Sequence, residues 1–121
     1  MPEPVLTYSV QEIIRQAEAD GMKLPMRTTK HGKTVDAIKL RMASIAVDPV
    51  SDHYFLLSAV DQTLLILDRK GGFVALHLLD ADLLPKPEGI TFLPNGDMLI
   101  ATEGKNSPPR LVRYALNKEE R

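Results

Sequence analysis

A mainly β fold is what this sequence predicts, on three observations: an internal repeat, short apolar runs bounded by turn chemistry, and a single stretch with helical spacing. The repeat comes first. Ser44-Ile45-Ala46-Val47-Asp48-Pro49 aligns with Gly89-Ile90-Thr91-Phe92-Leu93-Pro94 at an offset of 45 positions. Tyr54-Phe55-Leu56-Leu57-Ser58 aligns with Met98-Leu99-Ile100-Ala101-Thr102 at an offset of 44, one residue shorter in the intervening turn. Leu65-Ile66-Leu67-Asp68 aligns with Leu111-Val112-Arg113-Tyr114, with two residues more in the second loop.

Each copy breaks into strand-length pieces. Pro94-Asn95-Gly96-Asp97 is a hairpin signal, because asparagine and glycine accept positive φ, and Val50-Ser51-Asp52-His53 stands in the same place in the first copy. Asp68-Arg69-Lys70-Gly71-Gly72 joins a third strand to a fourth. Helix competes for runs such as Tyr54-Phe55-Leu56-Leu57, but their shortness, their flanking turns and the β-branched content favour strands. The first copy therefore predicts four strands, at 45–48, 54–58, 64–68 and 73–78. The second predicts three, at 89–93, 98–102 and 111–115, before a charged tail.

A period near 45 with four strands per unit is that of a propeller blade, so the expected architecture is a partial β-propeller of about two blades. Three regions follow: 1–41 with a strand, a helix and a basic loop, 42–79 as a four-stranded blade, and 80–121 as a last, incomplete blade. In the first region, Val5-Leu6-Thr7-Tyr8 suits a short strand. Ser9 lies three residues before Glu12, the capping-box spacing, and Val10, Ile13, Ile14 and Ala17 share one face of a helix over 10–20 that Gly21 ends. Met22 to Arg41 is weakly patterned and basic, and reads as a solvated loop or an anion-binding one. His31-Gly32-Lys33-Thr34 is not a phosphate-binding loop, since the glycine required five positions earlier is Arg27.

Two blades leave flanking faces without neighbours. The expectation is that these faces keep Ile, Leu and Val in water, at a cost of about 25 cal/mol per Å² of apolar area, or bury them against other blades or further copies. The open edge of the second unit would be covered by a preceding segment of a longer chain. Otherwise residues 5–8 would cover it, join the preceding blade, or pair with a second molecule.

Composition narrows the function. A net charge of -1 over 121 residues supplies no field for nucleic acid or an anionic membrane. No apolar run approaches the roughly 20 residues of a membrane span, and the first residues lack a secretory-signal pattern. The absence of cysteine removes thiol catalysis, disulfides and cysteine-ligated zinc. No Gly-x-Ser-x-Gly elbow occurs, and His31, His53 and His77 form no zinc spacing, so no catalytic or cofactor-binding residue is assigned.

The candidate metal ligands are Glu88 and Glu103. Glu88 is expected just before the innermost strand of the second blade, near one end of the propeller axis, where carboxylates from several blades could hold Ca²⁺ with its six to eight oxygens. The matching residue of the first copy is Ala43, which supplies no ligand. The structural alternative has Glu88 bonded to backbone donors of its turn. Glu103, with Asn106, could join the same mouth or simply face solvent. Asp61 and Asp97 suit turn roles.

The segments Ser44–Pro49, Leu57–Asp68 and Leu84–Phe92, with Ala101-Thr102-Glu103-Gly104-Lys105, resemble the C-terminal part of the SdiA-regulated, YjiK-like propeller family. Related forms of Pro87-Glu88-Gly89-Ile90-Thr91-Phe92 recur in NHL-like, lactonase-like and phytase-like propellers. The resemblance implies a propeller, often exported or periplasmic, without an assigned activity. The earlier blades of the family pattern are missing here. The preferred reading is a non-enzymatic scaffold fragment that binds a ligand, partner or cation at the axial mouth. The alternative is a calcium-dependent hydrolase of the lactonase or phytase-like type, with Glu88 as one ligand. The partners implied are the remaining blades or further copies of the chain.

Overall fold

A computed structural model describes residues 9–24, 26–28, 30–32, 34–36, 39–103 and 108–116. The strand expected at residues 5–8 lies outside them. Helix α1 is Val10–Ala19. Ser9 caps it, its hydroxyl accepting from the Glu12 N–H at 3.4 Å. The Glu12 carboxylate pairs with Arg15 and Gln16, i+3 and i+4 partners on the exposed face. The helix ends in a Schellman arrangement: Gly21, at φ 85°, donates to Glu18, and Met22 donates to Ala17. These bonds satisfy carbonyls that the helix itself leaves open.

The basic stretch is not all loop. Strands β1 (Met26–Thr28) and β2 (Thr34–Asp36) form an antiparallel hairpin in which Arg27 faces Val35. Three-residue strands carry too little periodicity to stand out in sequence.

Two larger antiparallel sheets follow. The first has β3 (Met42–Val47), β4 (Tyr54–Ser58), β5 (Thr63–Leu67) and β6 (Phe73–Leu78) in the order β3-β4-β5-β6. The second has β7 (Pro87–Phe92), β8 (Met98–Thr102) and β9 (Arg110–Tyr114) in the order β7-β8-β9. The predicted strands at 54–58, 73–78 and 98–102 agree residue for residue, and the others shift by one to three residues at an end. The sheets repeat one another in detail. Asp52 (φ 64°) and Gly96 (φ 97°) supply positive φ at matching turn positions. Asp48 organises the first turn, its carboxylate accepting from Val50 N–H at 3.0 Å and from the Ser51 hydroxyl at 2.8 Å.

Strand pairing shows which side chains share a face. Ile45, Leu56, Leu65 and Leu76 align across the first sheet on one side, and Ala46, Phe55, Ile66 and Ala75 on the other. The second side packs on Ile90 and Ile100 of the second sheet, with Leu84 from the connecting turn. Phe55 meets Phe92 edge to face, ring centroids 4.9 Å apart. The innermost strands β3 and β7 run beside each other, and Ile90 N–H donates to Ser44 Oγ at 3.3 Å.

The other side of the first sheet is not left in water, contrary to the expectation from two bare blades. Helix α1 lies on it. Ile13, Ile14 and Ala17 are buried against Leu56, Leu65, Leu67 and Leu76, and Leu40 joins them. An amphipathic helix thus covers most of the apolar flank. What stays exposed is local: Ile45 at 58% and Val47 at 41% on β3, and Leu111 at 68% on the far side of the second sheet. No helix among the described residues is long and apolar enough to cross a membrane.

Candidate functional site

Glu88 sits inside β7, not ahead of it. It is the unpaired residue of a β-bulge, since Pro87 faces Thr102 and Gly89 faces Ala101. Ala43 holds the same station in β3, between Met42 opposite Ser58 and Ser44 opposite Leu57. A bulge re-aims a side chain and bends its strand, and bulges concentrate at sheet edges and sites. Two bulges at an offset of 45 make this end of the paired inner strands a repeated feature. One copy carries a carboxylate there and the other a methyl group.

Glu103 lies at the end of β8, diagonally across from that bulge. Its N–H donates to the Lys86 carbonyl at 3.1 Å, closing the β7–β8 pair beyond Pro87. Its carboxylate meets Lys86 Nζ at 3.0 Å, and Glu88 is within hydrogen-bonding reach of the same carboxylate. Lys86 is held in the left-handed region at φ 53°, where side chains other than glycine are uncommon. Three charged residues of the two strands' ends therefore converge. The Lys86 contact holds the Glu103 carboxyl below its ordinary value of 4.5, and Glu103 in turn raises the Lys86 ammonium, with Glu88 adding to the same field. All three are exposed, so water screens the pair and its worth to stability is small.

Comparison with known families finds no family model that matches this chain, and comparison with curated proteins finds none that matches. The site is therefore read on its chemistry. Two carboxylates with one ammonium make an anionic end that accepts a cation once Lys86 is displaced or shared. Among the described residues, no group of three or more His, Asp or Glu side chains gathers into a ready cation site. Asn106, named with Glu103 in the sequence reading, lies outside the described residues.

The remaining polar residues act within the fold. His31 is in a turn, His53 follows the β3–β4 turn, and His77 stands on β6. Asp61 does more than close its turn. Its Oδ2 accepts from Lys39 N–H at 2.8 Å, Leu40 N–H at 2.6 Å and Ser58 Oγ at 3.1 Å, tying the segment ahead of β3 to the β4–β5 turn. Asp97 also reaches far in sequence, accepting from Leu116 N–H at 2.9 Å and from Arg113 at 2.8 Å. Sequence reasoning found Glu88 and Glu103 separately but missed Lys86. The signal for it was Lys86 placed two residues before Glu88 in a strand, the spacing that returns side chains to one face.

Proposed function

We propose that this chain is part of a β-propeller of the SdiA-regulated type, and that it works as a binding scaffold whose carboxylate end takes a cation. What supports the propeller reading is the repetition of strand order, turn conformation and bulge at a period of about 45 residues. The single observation behind the cation reading is the approach of Glu88 and Glu103 to each other, with Lys86 standing as their only charged neighbour among the described contacts.

Calcium is the cation whose demands fit best in kind. It takes carboxylate oxygens readily and tolerates irregular geometry, which suits side chains launched from a bulge. Two carboxylates supply at most four of its six to eight oxygens. The remainder would come from water and from neighbouring blades, so the isolated chain should bind weakly, at about 10⁻⁴–10⁻³ M, the range of low-affinity modules. Scaffold is favoured over hydrolase because no described residue stands as a general base beside the pair.

Calcium titration followed by ¹H–¹⁵N correlation spectra tests the proposal. Shifts should centre on residues 86–89 and 102–103 and vanish in Glu88→Gln. Shifts scattered over the surface, or equal in the variant, sink it.

A further inference from the structure

The two sheets face each other with unequal widths. The first has four strands and the second three, so β6 extends past β9. Beneath the overhang lies a groove of about 400 Å³, with Phe55, Leu64 and Ile66 on one wall and Met98 and Tyr114 on the other. His77 stands at its rim. The groove continues the core between the sheets, because Phe55, Leu64 and Ile66 are also buried against Ile90 and Ile100. Its outer side is bounded by β9, the edge strand of its sheet among the described residues. An edge strand offers a row of main-chain donors and acceptors to another strand.

The first sheet shows what shape completes such a unit. There β6 pairs antiparallel with β5, setting Ala75 opposite Ile66 and His77 opposite Leu64. The second sheet has no strand in that position among the described residues. We propose that the β9 edge and its groove form a docking site for one extended strand of a separate polypeptide. That strand runs antiparallel to β9 and carries aliphatic side chains at alternate positions, which enter the groove. Main-chain bonds to Arg110–Tyr114 supply the pairing, and the groove selects the alternate residues.

A second copy of this chain does not fit. Pairing β9 with β9 would bring the copy's own β5 and β6 along, into the space that β6 of the first molecule already holds. The overhang admits a single strand and excludes a sheet that carries a neighbour on the same face. The groove is separate from the Glu88–Glu103 end, so failure at one leaves the other standing.

The test uses the full chain and a synthetic peptide that copies Phe73–Leu78, flanked by lysines for solubility, with a scrambled peptide as reference. Fluorescence anisotropy should show saturable binding of the first peptide alone, and hydrogen exchange should slow across 110–114. His77→Trp, which fills the groove mouth from an exposed position, should weaken binding at least tenfold, while Glu88→Gln leaves it unchanged. Ala115→Trp serves in its place if His77→Trp does not fold. The proposal is overturned by absence of binding, by equal binding to the filled variants, or by self-association of the chain that the filled variants abolish. The last result would make a second copy the occupant.

Discussion

Gly96 and Val50 lock the two β hairpins together. A Cβ placed on Gly96 would stand 2.7 Å from Val50 Cγ2 and 3.1 Å from Leu116 Cδ2, and Gly96 itself is at φ 97°. The turn of the second sheet is thus pressed against the turn of the first by a residue with no side chain.

Gly96→Ala therefore meets two obstacles, a left-handed backbone and a filled contact. Each costs about 1–3 kcal/mol, and partial relaxation of Val50 keeps the sum near the upper end of one. Urea unfolding measures it. Asp52, the matching residue at φ 64°, is the control. Asp52→Gly should change stability by less than about 1 kcal/mol, because relief of the backbone is offset by a freer unfolded chain. Equal effects at the two positions would mean that the turns do not touch.

Ile14→Ala tests whether α1 belongs to the core. Ile14 is buried against the first sheet, and removal of so large a buried side chain costs about 2–5 kcal/mol. If the helix were merely appended, the urea midpoint of the strands would not move. A near-neutral result would restore the bare flank expected from the repeat alone.

The sequence carried the sheets more clearly than their surroundings. Leu56, Leu57, Leu64 and Leu65 form unbroken apolar runs because β4 and β5 are covered on both faces, by α1 and by the second sheet. That continuity made strands visible without saying what covered them. The helix was legible from Ser9, Gly21 and the spacing of Ile13, Ile14 and Ala17. Its destination was not, since an amphipathic face names no partner. Glu88 was visible as a residue type, but its bulge depends on a one-residue mismatch in pairing with β8, which no single strand encodes. The long-range bonds of Asp61 and Asp97 were hidden for a related reason: turn aspartates look alike until distant backbone arrives.

Thr63 is fully buried, and its Oγ1 has no hydrogen-bond partner among the described residues. A buried hydroxyl without a partner costs about 1–3 kcal/mol in lost hydration. Thr63→Val keeps the shape and removes the cost, so it should stabilise the chain by up to that amount. Thr63→Ser keeps the hydroxyl and deletes a methyl, so it should destabilise. Thermal unfolding of the pair decides; destabilisation by Val would reveal a bond to the hydroxyl.

Asp97 should shape the acid side of the stability curve. The Leu116 N–H first, then Arg113 and Asn95, hold its carboxyl below the ordinary 3.8. The folded group thus binds its proton less readily than the unfolded one. Its stabilisation is complete above 3.8 and drains away as pH falls through that value and the lower folded one. Asp97→Asn should lower the unfolding midpoint at neutral pH. The gap from the parent chain should narrow as the solution is acidified. A gap constant with pH would assign the loss to altered packing instead of to charge.

Lys86→Met removes the ammonium that neutralises Glu103 and leaves the stem's apolar contacts in place. If the carboxylate pair takes a cation, its competitor is now gone, and calcium affinity should rise. The rise should be roughly three- to tenfold at low salt, since exposed charges a few ångströms apart interact by about 1 kcal/mol in water. The gain should shrink as ionic strength increases and the Debye length shortens. Calorimetric titration at two salt concentrations reads both effects. Affinity that is unchanged or lower in Lys86→Met would show that Lys86 is not opposed to the ion, and that the pair is a surface ion contact with no ligand of its own.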